Sequence, residues 1–284
     1  MTDHSSKSTL DNLKLRPWEE IMNEVDHKVG DREVTVAQSV IESFTGPNIG
    51  IKIKLEDHLK SGTAHFDFKT NWTHMSRKFL NDMATVGELS QQTVFKGIYK
   101  HELGHYVIYP HECSTLMYFG HLARPMYKEY AQDVVAYWVD VMDNLPQMTK
   151  KIHGADVRDM YRGMNKIVEK EMTFSPKFKK ELESLKIDPE ELHRIIRDYS
   201  VDRLMTALYQ FHTKEDFGVD LGQGFLADQL EKTTMIKRIN PDTQEQIEEE
   251  HKTGLTTINF FSQDERMRTA LFTMFGSIVQ EVLK

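Results

Sequence analysis

The spacing of apolar positions divides the chain into a short alternating stretch set between helical ones. Trp18, Ile21, Met22 and Val25 recur at helical intervals, with Pro17 suited to a first helical position and Gly30 as a break. Thr35 is a candidate cap for a second helix through Phe44, with Val36, Val40, Ile41 and Phe44 on one side. The period then falls to two. Ile49, Ile51, Ile53 and Leu55 alternate with Gly50, Lys52 and Lys54, and after Ser61-Gly62 the residues Ala64, Phe66 and Phe68 do the same. This predicts two short strands of a small antiparallel or mixed sheet. The helical period returns over 71–88, and Ser90 is a good N-cap for the next helix, which runs to about Tyr109 before Pro110 stops it. On that helix Val94, Ile98, His101, His105 and Ile108 share one face. Gly97 and Gly104 lie on a neighbouring face, where each weakens the helix unless another element approaches closely.

Pro125 predicts the start of a further helix over 126–144, ended by Leu145-Pro146. Its apolar side carries Tyr130, Val134, Tyr137, Trp138 and Val141; its other side carries Glu129, Asp133, Ala136 and Asp140. Beyond residue 155 the pattern reads as almost wholly helical, in segments near 155–172, 174–186, 189–212, 225–238, 241–253 and 263–283. Asp188-Pro189 and Asn240-Pro241 read as helix starts, Ser262-Gln263-Asp264-Glu265 as a capping box, and the glycines of 217–224 as a loop. The expected class is α+β. It divides into a flexible N-terminus (1–16), a domain holding the small sheet and the histidine helix (17–150) and a mostly helical C-terminal region (151–284).

Composition narrows the function. The chain has 284 residues, 39% hydrophobic and 28% charged, the profile of an ordinary globular protein. A net charge of −8 argues against nucleic acid as the main partner, because neutralising phosphates needs a basic face. No apolar run approaches the roughly 20 residues that span a bilayer, so no membrane partner is expected. The single cysteine, Cys113, excludes an internal disulfide, and the N-terminus has no signal-peptide core. A cytoplasmic protein is expected, and any metal has to be held by histidines and carboxylates.

The chemistry is concentrated in His101-Glu102-Leu103-Gly104-His105. Two histidines four residues apart on a helix can converge on one metal ion, and the glutamate after the first stands beside it, placed to take a proton from water. Such a centre needs a third protein ligand. Glu129 is the first candidate, with Asp133 one turn further along and placed to orient His101 from behind. Asp133 as direct ligand and His111 are the alternatives. His111 completes a string that resembles the metzincin layout, with Met117-Tyr118 close behind, but Ile108 occupies the position where that layout turns on a glycine.

The two motifs His101-Glu102-x-x-His105 and Glu129-x-x-x-Asp133 together resemble the gluzincin clan of zinc metallopeptidases, most of all its short soluble bacterial and archaeal members. The resemblance covers about residues 49–142. It implies a zincin-like catalytic domain with a single Zn2+ ion, Glu102 as general base, and a peptide or protein substrate lying along an edge strand near Phe66 and Phe68. The rivals are a non-proteolytic binding or regulatory protein on the same fold and a metal hydrolase acting on a non-peptide amide. The helical C-terminal region is expected to wall the cleft or to receive a regulatory partner.

Overall fold

The computed structural model describes residues 30–44, 52–57, 63–149, 154–171, 200–222, 224–262 and 264–284, with a few isolated positions between them. The expected flexible N-terminus and the helix beginning at Trp18 lie outside these residues, as do most of the segment expected at 174–186 and the first part of that expected at 189–212. Helix and strand are mixed, with helix predominating, which is compatible with the α+β class.

Helix α1 (Asp31–Ser43) precedes a three-stranded sheet of β1 (Ile53–Glu56), β2 (Ala64–Asp67) and β3 (Trp72–Ser76). The two alternating stretches do form strands, but they do not pair with each other. The third strand runs between them, parallel to β1 and antiparallel to β2. Residues 72–76 do not open a helix as expected; the alternation of buried Thr73 and Met75 with half-buried neighbours places them in the sheet. The helix, α2 (Arg77–Thr85), starts only after Ser76, whose hydroxyl accepts from the backbone N–H of Phe79. This order leaves β2 at the edge of the sheet.

Helix α3 (Gln91–Val107) begins at the expected cap, with Ser90 Oγ accepting from Thr93 N–H at 3.0 Å. It is buried on several faces and runs through the centre of the molecule. Helix α4 (Cys113–Tyr127) carries Pro125 in its last turn, so this proline does not open a helix. The break falls at Lys128, and a 3-10 turn (Lys128–Tyr130) leads into α5 (Ala131–Thr149). Pro146 lies inside α5, which runs three residues past it.

The remaining helices are α6 (Ala155–Glu171), α7 (Val201–Thr213), the short α8 (Phe225–Leu230) and α9 (Glu265–Leu283). Asp264, not Ser262, caps α9, accepting from the N–H groups of Arg266 and Met267. The helices expected over 225–238 and 241–253 are replaced, beyond α8, by a hairpin of β4 (Lys232–Ile239) and β5 (Gln246–Thr253). Its strands are exposed on both faces, so no burial period marks them in the sequence, and Asn240-Pro241 makes the connecting turn, with Asn240 Oδ1 accepting from Asp242 N–H.

One continuous core joins both halves of the chain. Trp138 of α5 is fully buried among Phe119 of α4, Phe260, and Phe272 and Phe275 of α9, and its indole N–H donates to the Tyr109 hydroxyl. The boundary at 150/151 is therefore not a break in packing. Helix α6 lies on α3 where Gly97 leaves room, and the buried Lys100 ammonium donates to Asp156 Oδ2 at 2.6 Å across the same contact. A methyl group on Gly97 would stand 2.6 Å from the Asp156 carbonyl oxygen and 2.9 Å from Met160 Cβ. Gly97→Ala is expected to destabilise the protein by about 1–3 kcal/mol, the cost of overpacking, despite the better helix propensity of alanine. Denaturant unfolding measures this; an unchanged or raised midpoint would contradict the close approach.

Candidate metal centre

Helix α3 presents His101 and His105 on one face, with ring centroids 4.7 Å apart. The nitrogens facing away from the cleft are both engaged. His101 Nδ1–H donates to Asn144 Oδ1 at 2.9 Å, and His105 Nδ1–H donates to the Tyr109 carbonyl at 3.2 Å. Each bond places a ring proton on Nδ1, so Nε2 is the nitrogen a cation would meet. Asn144 is itself fixed, donating from Nδ2 to the hydroxyls of Tyr161 on α6 and Tyr209 on α7. All three residues are buried.

The carboxylate beside both Nε2 atoms belongs to Asp140. Its Oδ1 lies 3.5 Å from His105 Nε2 and 3.9 Å from His101 Nε2. Ligands at about 2.0–2.2 Å around a tetrahedral cation stand roughly 3.3–3.5 Å from one another, so these separations leave room for an ion between them. Asp143 is also close, and His101, His105 and Asp143 can each offer one ligand atom within 4.8 Å of the others. Asp143 is nevertheless the poorer third ligand. It is fully buried, its Oδ2 accepts from Gln147 and faces the protonated Nδ1 side of His101, and it opens onto no solvent. Asp140 keeps a third of its side chain exposed and lines the cleft.

The charges favour a cation. Burial raises the Asp140 carboxyl to about 6 and the Glu102 carboxyl to about 7, and it pushes Asp143 well above the usual carboxylate range. Burial alone would lower His101, but Asp140, Glu102 and Asp143 more than offset it, and the ring is raised to about 9. His105, buried and beside a charged His101, is lowered to about 3. Asp202 on α7 adds further negative potential at Asp140, while Asp143 Oδ1 is buried without a hydrogen-bond partner among the described residues. Several carboxyl groups thus surround two imidazoles.

The cleft measures about 970 Å³. Its floor is His101, Glu102, His105 and Asp140. One wall is the β2 side, from Thr63 to Phe68, and the other is formed by α4, the 3-10 turn and α5. Glu102 is buried and accepts a hydrogen bond from the backbone N–H of Phe66, which ties the edge strand to the floor. Phe66 and Phe68 both line the cleft and meet edge to face at 5.2 Å. The described lining residues come from 63–140, so no C-terminal helix among the described residues walls the cleft; α6 and α7 support it from behind through Tyr161 and Tyr209.

Three sequence candidates fall elsewhere. Glu129 is exposed on the cleft wall and contacts neither histidine; the carboxylate next to both rings is that of Asp140. Asp133 is exposed and does not orient His101; Asn144 does. His111 is exposed, sits at φ 66° and lines no part of the cleft; only its backbone N–H reaches the helix, donating to the His105 carbonyl. The spacing of a carboxylate beside the rings and a polar group behind His101 is found instead at Asp140-x-x-x-Asn144. That pair lies eleven residues beyond Glu129-x-x-x-Asp133, close to three helical turns, and so on the same face. Asp140 was legible on that face; Asn144 carries no signal beyond its spacing from Asp140.

No family model matches this chain, and searches of the curated proteins and of the solved structures find no match.

The Asn144 hydrogen bond is open to test. For a zinc ion held between the two rings, Asn144→Ala would weaken affinity by about 10–100-fold, the usual cost of losing the group that orients a histidine ligand. Competition titration against a chromophoric chelator measures this; affinity within twofold of the parent would show that Asn144 does not orient the site.

Proposed function

We propose that this chain is a metal-dependent hydrolase with a zincin-like catalytic centre, acting on peptide bonds. The observation that carries the reading is the pair of histidines held by Asn144 and the Tyr109 carbonyl, with both Nε2 atoms turned toward Asp140 Oδ1 and Glu102 beside them. His101, His105 and Asp140 would hold one divalent ion. A donor set of two imidazoles and a carboxylate suits zinc. The ion supplies Lewis acidity, acidifying a water and polarising a carbonyl.

The chain's own groups do the rest. Glu102 is buried beside the ligand histidines, and its carboxyl, raised to about 7, is matched to accept a proton from water at neutral pH and return it to a leaving amine. The Phe66 N–H holds that carboxylate in place. The edge strand β2 offers its free side to an extended peptide, with Phe66 and Phe68 alongside. The reading keeps the expected chemistry of His101, Glu102 and His105 and moves the third ligand from Glu129 to Asp140.

Two experiments test it. Glu102→Gln is expected to retain one equivalent of zinc and to lose peptide hydrolysis by at least about 10²-fold, the scale of general-base catalysis; normal turnover would reject the mechanism. Asp140→Ala is expected to lose the metal, whereas Glu129→Ala and His111→Ala keep it, as read by metal analysis after dialysis. Loss in Glu129→Ala with retention in Asp140→Ala would reverse the assignment. A binding protein without proteolysis would hold zinc yet show no chelator-sensitive cleavage of any peptide.

A further inference from the structure

The α4 wall of the cleft carries an unbalanced positive charge. Leu116, Gly120 and Arg124 form one stripe of α4, and Lys128, the residue that ends the helix, follows at the same interval; all four line the cleft. Arg124 and Lys128 are both exposed there, and neither side chain has a hydrogen-bond or ion-pair partner among the described residues. Glu129, next in sequence, lines the same wall without pairing to either of them. Among the described lining residues the other titratable groups are Glu102, Asp140, His101 and His105 of the candidate centre and His65 on the β2 side. The chain as a whole is acidic, at net charge −8, so this wall differs in sign from its surroundings in the cleft floor.

Lys128 adds a second observation. Its backbone sits at φ 53° and ψ −118°, the conformation of a primed turn in which glycine is usual and a Cβ is disfavoured. The sequence keeps a long cationic side chain where the backbone asks for glycine. Strain of this kind at a cleft wall points toward function. Gly120, one turn before Arg124, has open space around it.

We infer that Arg124 and Lys128 form a carboxylate-binding subsite, and that the peptide substrate carries a carboxylate on the α4 side of the bond to be cleaved. This rests on the hydrolase reading for its peptide, but the recognition is a property of this wall alone. A carboxylate can come from an aspartate or glutamate side chain or from the free C-terminus of the peptide. Both are planar anions that the guanidinium can meet with two parallel hydrogen bonds.

The test uses the full chain as the zinc-loaded Glu102→Gln variant, so that peptide is bound and not consumed. Fluorescence anisotropy compares one labelled peptide backbone in four forms: amidated with a single glutamate, amidated with a single lysine, amidated and neutral, and neutral with a free C-terminus. Either carboxylate-bearing form, the glutamate or the free C-terminus, is expected to bind on the order of tenfold tighter than the lysine and neutral amidated peptides at low salt. Which of the two binds identifies the source. Arg124→Glu with Lys128→Glu should abolish or invert the preference. Lys128→Gly should lose several-fold of it while raising the melting temperature, because the strain is relieved, which separates the charge effect from misfolding. Equal affinity for all four peptides, binding by none of them, or a preference that survives the double charge reversal overturns the inference. Because binding is read on a variant made not to cleave, absence of hydrolysis in the unaltered chain rejects the hydrolase reading and leaves this result standing.

Discussion

Helix α5 can reach the histidine helix because Gly104 has no side chain. A methyl group there would collide with Asp143 Oδ1 and Gln147 Nε2, both of which rest directly on the backbone of α3. The approach sets the depth of α5 relative to His101-Glu102-Leu103-Gly104-His105. At that depth Asp140 comes level with the cleft face of the two rings, Asp143 with the bonded side of His101, and Asn144 within 2.9 Å of its Nδ1. A bulkier residue at 104 would hold the helices apart and leave the histidines without the groups that fix their proton positions. Gly97 has the equivalent role two turns earlier, where α6 crosses α3 and Lys100 meets Asp156. The two glycines of one helix thus seat the two helices on which the candidate site depends.

Much of this was legible in the sequence, and the limits have physical causes. The histidine helix, its Ser90 cap and the close approach at both glycines follow from spacing and from the cost of glycine in a helix. The carboxylate that stands beside both rings, Asp140, did not follow. The polar face of α5 passes through Glu129, Asp133, Ala136 and Asp140, and periodicity identifies that face without saying which turn of it meets the histidines. That choice belongs to tertiary packing, and it selects the turn eleven residues further on. The helix break was misplaced for a related reason: Pro125 is tolerated in the last turn of α4, while the backbone turns at Lys128, a residue with no turn propensity of its own.

The C-terminal hairpin escaped for a different reason. Residues 232–253 are rich in Lys, Arg and Glu, and the strands they form bury neither face. Without a core side there is no alternation to read, and the pairing rests on cross-strand partners such as Arg238–Glu249 and Lys237–Glu248. Strand β3 was hidden more simply. Its five residues run directly into α2, and Met75 fits a helical period as well as a strand one. No helix among the described residues is long and apolar enough to cross a membrane.

The clamp of Tyr161 and Tyr209 on Asn144 ties two regions of the molecule that the chain order separates. The groups that would hold an ion all come before residue 141, but the hydroxyls that fix the orienting amide come from α6 and α7. Free energy of ion binding and free energy of packing those helices are then linked quantities, and the linkage runs in both directions. An ion that binds better when Asn144 is clamped must in turn tighten α6 and α7 against the core. For an ion held at that site, the packing of α6 and α7 would follow its occupancy, and a change in that packing would alter how firmly it is held.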